Sequence, residues 1–132
     1  MSVHECHFNY DLNARLATPT SLAGYIKLVE EGIASAASVI DEPTVRNLRS
    51  WWEVYLIASY LYYIKDVSLL TDAQFDFICK KLLAVDEEHL LKTIRTYGLY
   101  DRSCLDAGSG FHIKRLPYFA LYAAELYEKR LS

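Results

Sequence analysis

Apolar residues recur three and four positions apart along most of the chain, and this spacing predicts α-helices. The first such segment covers residues 20–40, with Thr20 or Ser21 as its expected N-terminal cap. Further helices are predicted over residues 43–65, 72–84 and 86–97, and a last one opens at Pro117. The predicted fold class is therefore all-α, with residues 1–132 forming a single domain built as a compact bundle of about five helices.

The helix predicted over residues 43–65 is expected to lie at the centre of this bundle. Pro43 suits the first turn of a helix, so Asp41 or Glu42 is the expected cap before it. The second half of the segment, residues 55–64, is apolar on nearly every side. A helix with no polar face is buried among its neighbours, which places this one in the core.

The next helix opens with a capping signal. Thr71 can accept from the backbone of Gln74, and the Gln74 side chain can reach back to the backbone N–H of Thr71. Residues 51–83 therefore predict two helices joined by a short turn. This aromatic-rich helical hairpin is the element around which the other helices are expected to pack.

The composition of the chain bears on which ligands it can bind and in which compartment it is expected. The net charge of −3 does not supply the basic surface that phosphate neutralisation requires, so direct nucleic-acid binding is not expected. No segment approaches the roughly 20 apolar residues of a membrane span, and no signal peptide is recognisable. Cys6, Cys79 and Cys104 are odd in number and follow no motif spacing, which favours free thiols and a cytoplasmic location.

The hairpin also contains the residues of the chain that most specifically suggest a binding site. Tyr62 and Tyr63 end one helix, while Asp72 and Asp76 lie four residues apart on the next. A short turn would bring the aromatic rings near the carboxylates, a plausible site for a flat, hydroxyl-bearing or cationic ligand. The alternative is purely structural, with Tyr55, Tyr62 and Phe75 in the core and Asp76 paired with Lys80 in solvent.

This stretch resembles a known family. Residues 60–66, YLYYIKD, and residues 70–76, LTDAQFD, are similar to the N-terminal helical domain, called Ia, of NAD-dependent DNA ligases. In that domain a helix ending in Tyr-[His/Tyr] is followed, after a spacer, by Asp-Ala-Glu-Tyr-Asp at the start of the next helix. The whole chain also resembles small bacteriophage proteins of unknown role that keep this hairpin and add a Gly-Ser-Gly segment.

The resemblance implies a ligand. In those ligases the domain binds the nicotinamide mononucleotide (NMN) half of NAD. By resemblance, Tyr62 and Tyr63 would stack on the nicotinamide, and Asp72 and Asp76 would accept hydrogen bonds from its amide and ribose hydroxyls. Phe75 stands where the family has Tyr, so one hydroxyl is missing.

The rest of a ligase is not encoded in this sequence. No Lys-x-Asp-Gly motif supplies the nucleophile for adenylate transfer, and no nucleophile–base pair is recognisable, so an enzyme is not expected. Two functions follow. The first is a non-catalytic protein-interaction or host-modulating module on a ligase-like scaffold, acting on an unidentified protein, in the host cytoplasm if the chain is phage-encoded. The alternative is a binder of NMN or NAD through the hairpin.

Three other segments contain residues that could bind a ligand or react, but each has weaker support in the sequence. Residues 4–7, His-Glu-Cys-His, contain metal-ligating types, but zinc sites usually combine two separated pairs, so no metal is expected and residues 1–18 are interpreted as an irregular arm. Residues 108–110, Gly-Ser-Gly, could cradle a phosphate or form an ordinary loop within the irregular stretch 99–116. Cys104 lies close to Arg102, which could lower its thiol pKa.

Overall fold

Six α-helices account for most of residues 21–131, which are the residues that the computed structural model describes. In chain order they are α1 (Leu22–Ala34), α2 (Val45–Ile64), α3 (Asp72–Leu83), α4 (Glu87–Thr93), α5 (Arg102–Asp106) and α6 (Tyr118–Leu131). This range contains no β-strand, so the predicted all-α fold class is confirmed. The predicted arm over residues 1–18, its His4–His7 cluster, Cys6 and Thr20 lie outside the described residues.

The sixth helix, α5, was not expected from the sequence. It lies in the stretch predicted to be irregular, and it forms because the Asp101 side chain accepts from the backbone N–H of Cys104 and so caps five residues. None of the six helices between Ser21 and Leu131 combines the length and the apolar character that a membrane crossing requires.

Helix α1 begins where predicted and ends early. The Ser21 hydroxyl accepts from the backbone N–H of Gly24 at 3.1 Å, which confirms Ser21 as the cap. The helix ends at Ala34 and does not reach residue 40. Ser35 is the reason, because its hydroxyl donates to the Glu31 carbonyl at 2.9 Å and accepts from the Trp51 indole at 2.9 Å.

The predicted start of α2 is two residues too early, because the helix begins at Val45 and not at Pro43. Thr44, and neither Asp41 nor Glu42, is the N-cap: its hydroxyl accepts from the Asn47 backbone N–H, and the Asn47 side chain accepts from the Thr44 backbone N–H. This reciprocal pair satisfies two N–H groups that have no partner inside the helix. Pro43 therefore precedes the cap.

Helix α4 is shorter than the predicted segment 86–97. Asp86 caps it, but it ends at Thr93, and Ile94 is extended. The Thr93 carbonyl accepts from the Arg49 side chain of α2 at 3.0 Å, and the Arg95 carbonyl accepts from the Trp52 indole at 2.7 Å. Two side chains of the central helix thus bind backbone carbonyls that would accept hydrogen bonds within α4 if this helix continued beyond residue 97.

Helix α2 forms the centre of the molecule, as predicted. Residues 48–59 are buried without interruption, and α1, α3, α4 and α6 all pack against this helix. Gly32 permits the close approach of α1, because a Cβ at that position would lie 2.6 Å from the Val54 side chain and 2.7 Å from the Ser50 carbonyl oxygen. The α2–α3 hairpin occupies the same core.

Candidate functional site

The turn between α2 and α3 places the two tyrosines at a helix end. Asp66 adopts a left-handed backbone conformation, with φ of 57°, and the following N–H of Val67 donates back to the Leu61 carbonyl at 2.9 Å. Asp is one of the few residue types that tolerates this conformation. Tyr62 and Tyr63 consequently lie in the last turn of α2, and both side chains are exposed.

The start of α3 is built as the sequence predicts. The Thr71 hydroxyl accepts from the Gln74 backbone N–H at 3.1 Å, and the Gln74 side chain accepts from the Thr71 N–H at 2.9 Å. The capping box is confirmed. It fixes the first turns of α3, and so it sets the positions of Asp72, Phe75 and Asp76.

All five candidate residues meet at one pocket. A cavity of about 190 Å³ opens between the end of α2 and the start of α3, and its lining includes Tyr62, Tyr63, Asp72, Phe75 and Asp76. The structure therefore brings together side chains from both arms of the hairpin. That any of them binds a ligand stays a prediction.

The two tyrosine rings stand at right angles. Their centroids are 4.9 Å apart and their planes form an angle of 87°. As they stand, only one of the two rings can lie face to face on a given flat ligand. Phe75 is half-buried and packs on the Tyr55 ring at 5.6 Å, so it serves as a wall of the pocket and as part of the core.

The charged groups that line the pocket are both acidic. Asp72 and Asp76 contribute carboxylates, and no Lys or Arg of residues 21–131 lines the pocket. Outside the pocket, Lys80 pairs with Asp76 Oδ2 at 2.9 Å, as the sequence predicts. Both side chains of this pair are more than half exposed, so the interaction contributes only a few tenths of a kcal/mol.

A third wall comes from the Gly-Ser-Gly segment. Gly108 lines the pocket with a φ of 66°, and a Cβ there would lie 3.3 Å from Asp76 Oδ1. The Tyr55 hydroxyl donates to the Ser109 carbonyl at 2.8 Å, and Gly110 packs directly on Ser59 of α2. Sequence reasoning identified this segment but not its contact with the hairpin.

This packing counts against the phosphate cradle considered for the segment. The backbone N–H of Gly108 donates to the Leu105 carbonyl at 3.0 Å, and that of Ser109 donates to the Cys104 carbonyl at 2.9 Å. Phosphate-binding loops need several N–H groups pointing at the anion. Here two of the segment's N–H groups are already engaged within the loop.

Neither of the two cysteines between residues 21 and 131, Cys79 and Cys104, is activated. Burial and the neighbouring Asp101 carboxylate raise the pKa of the Cys104 thiol, so the lowering expected from Arg102 is wrong. Burial likewise raises the pKa of Cys79 to about 12. Because the thiolate is the reactive form, neither side chain is a ready nucleophile near pH 7.

The sequence did not lead us to predict a buried carboxylate in α2. Glu53 lies in the core, where it accepts hydrogen bonds from the hydroxyls of Tyr25 at 2.5 Å and Tyr97 at 3.0 Å. Burial raises the pKa of Glu53 to about 7, while the tyrosine hydroxyls and the guanidinium groups of Arg95 and Arg49 oppose the shift. A single charge inside the run WWEVYL is the signal that could have identified it.

Comparisons with models of protein families, with curated proteins and with solved structures found no match to this chain. The likeness to the ligase Ia domain therefore stays a prediction that depends on the quoted residues. In the described range, no three His, Cys, Asp or Glu side chains are grouped so that they could hold a metal ion.

Proposed function

We propose that the protein is a non-catalytic protein-interaction module and that its binding surface is the mouth of the pocket between α2 and α3. The observation that carries this proposal is the exposure of three consecutive large side chains at the end of a helix that is buried over residues 48–59. Tyr62, Tyr63 and Ile64 are 53%, 42% and 42% exposed. Exposed aromatic groups around a pocket are typical of protein interfaces.

The dimensions of the pocket also favour a protein partner over a whole nucleotide. Sites for small molecules commonly enclose roughly 300–1,000 Å³, and this pocket has about 190 Å³. The perpendicular rings of Tyr62 and Tyr63 do not form a continuous stacking surface. Phe75 offers no hydroxyl to a polar ligand. If the resemblance to phage proteins holds, the partner is a host protein in the host cytoplasm.

Binding of NMN or NAD is the second candidate, and one observation favours it. The five residues that the ligase resemblance assigns to the nicotinamide nucleotide all line the same pocket. A pocket of this size would hold the nicotinamide ring and leave the phosphate in solvent.

The interaction proposal can be tested by placing a photo-crosslinking amino acid at Ile64, which is 42% exposed and follows Tyr63 without lining the pocket. We expect a discrete crosslinked protein in a lysate of the source cells or their host. The matched control is the same amino acid at Tyr122 of α6, which is 48% exposed. A discrete product at Ile64 alone supports the proposal. Identical crosslinked products at Ile64 and Tyr122, or no product at Ile64, would contradict it.

A thermal-shift titration separates the two candidates. A ligand present at 100 times its dissociation constant adds about 2.7 kcal/mol to the free energy of unfolding, which raises the melting temperature by several degrees. We expect no shift with millimolar NMN or NAD. A shift that Asp76→Ala abolishes would instead establish a nicotinamide-nucleotide binder.

A further inference from the structure

The pocket has the character of a site for one positively charged side chain. It is small, its walls include the exposed rings of Tyr62 and Tyr63, and its charged groups are the carboxylates of Asp72 and Asp76. Aromatic faces attract cations, and carboxylates pair with them, so both kinds of wall favour the same occupant.

The two carboxylates are not equally available. Asp76 uses Oδ2 for its ion pair with Lys80, while its Oδ1 lies on the side of Gly108. No ion pair or hydrogen bond of the Asp72 side chain is found among the described residues. A cation that enters the pocket therefore has one carboxylate without a competitor and the Oδ1 atom of the other.

We propose that this pocket receives an arginine side chain from the protein partner, so that the segment recognised is basic. This inference rests on the proposed interaction function. A guanidinium is flat, so it can stack on the face of one tyrosine ring while its edge donates two parallel hydrogen bonds to a carboxylate, whereas an ammonium group has no plane to stack and acts as a point charge. The perpendicular rings of Tyr62 and Tyr63 suit this arrangement, because one offers its face and the other bounds the group laterally.

This arrangement predicts that neutralising Asp72 and neutralising Lys80 have opposite effects on arginine binding. Asp72 supplies the uncompensated carboxylate, so its neutralisation should weaken binding. Lys80 competes with the incoming guanidinium for Asp76, so its neutralisation should strengthen binding. If the pocket recognised its ligand by shape alone, these two substitutions would not change the binding affinity in opposite directions.

The test is a titration of the full-length protein with the peptide acetyl-Gly-Arg-Gly-amide, followed by ¹H–¹⁵N NMR. Its matched control replaces arginine by citrulline, which is similar in shape and uncharged. We expect saturable shifts of amides around residues 58–76 and 108 with the arginine peptide. We expect at least tenfold weaker binding of the citrulline peptide and a loss of affinity as NaCl is added.

Three variants complete the design. Asp72→Asn should weaken arginine-peptide binding at least fivefold and Lys80→Gln should strengthen it, whereas Asp41→Asn, an exposed carboxylate before α2, should change nothing. Circular dichroism checks that each variant is folded. Equal binding of both peptides, or equal effects of the Asp72 and Asp41 substitutions, would overturn the inference.

The two proposals fail in different ways. An Ile64 crosslink that persists while the arginine peptide does not bind leaves the interaction module intact and refutes only the recognition of arginine. Absence of the crosslink refutes the interaction module, whatever the peptide does.

Discussion

At the scale of single residues, two glycines show how differently one residue type can be constrained. Gly110 lies against Ser59 of the central helix, and a Cβ there would overlap the Ser59 side chain. Gly98 has a left-handed backbone with φ of 73°, and apart from Gly98 and its two chain neighbours no atom lies within 4 Å of the position that its Cβ would take. Gly110 is required by packing, whereas Gly98 is favoured only by its backbone conformation.

Substitution of these glycines should therefore cost different amounts. Gly110→Ala forces the loop away from α2 and should lower the free energy of unfolding by about 3 kcal/mol, at the upper end of overpacking effects. Gly98→Ala should cost only about 1 kcal/mol, the strain of a left-handed alanine. Urea denaturation of both variants measures the difference, and equal losses would refute the close packing of Gly110.

At the scale of elements, the capping residues explain which helix starts and ends could be predicted from the sequence. The Thr71–Gln74 box was predictable because both partners lie within one turn and follow the standard spacing. The cap of α2 uses the same geometry with Asn47 as the third residue, a variant that the presence of Pro43 obscured. The early ends of α1 and α4 were not predictable, because Trp51 and Arg49 of another helix bind there.

The capping box of α3 gives a prediction at this scale. Thr71→Ala removes the acceptor of the Gln74 N–H and should lower the free energy of unfolding by about 1 kcal/mol. Thr71→Ser keeps a hydroxyl at the cap and should be close to neutral. Urea denaturation measures both variants. If the alanine and serine variants unfold at the same urea concentration, the capping hydrogen bond contributes nothing measurable.

At the scale of the whole molecule, Glu53 joins parts of the chain that are far apart in sequence. Tyr25 of α1 and Tyr97, in the segment after α4, both donate to this one carboxylate of α2. Tyr97 adopts a left-handed backbone with φ of 54°, an uncommon conformation for an aromatic residue, and its hydroxyl reaches the buried carboxylate from there. The network thus joins α1, α2 and the segment after α4 through one side chain.

Glu53 should make stability depend on pH. Its pKa is about 7 in the folded protein, against an ordinary value of 4.5, so between these values the folded state binds more protons than the unfolded state. The free energy of unfolding should therefore fall by roughly 3 kcal/mol as pH rises from 4.5 to 7, since each pH unit in this window contributes about 1.4 kcal/mol. The contribution becomes constant only about one pH unit above the folded pKa, where Glu53 is fully ionised in both states.

Denaturation of matched variants isolates this effect from the other titrating groups. Glu53→Gln should show no such fall, so its stability relative to the unchanged protein should rise from pH 4.5 to 7. Glu125→Gln, an exposed site on α6, should follow the unchanged protein throughout. A constant difference between Glu53→Gln and the unchanged protein across this range would contradict the raised pKa.

The sequence by itself determined what depends on neighbours within one or two turns. The helical periodicity, the central place of α2, the Thr71 cap and the Asp76–Lys80 pair all involve residues close together in the chain, and all were predictable. The structure also gathers the five hairpin residues at one pocket, as the short turn suggested.

Only the tertiary structure decided what depends on contacts between distant segments. The Gly108 wall of the pocket, the burial of Glu53 and the ends of α1 and α4 each join residues that no local pattern relates. A side chain's preference for helix or solvent is a property of its own neighbourhood in the sequence. Which backbone group or carboxylate it meets in the core depends on how the helices pack, and that packing is a property of the whole chain.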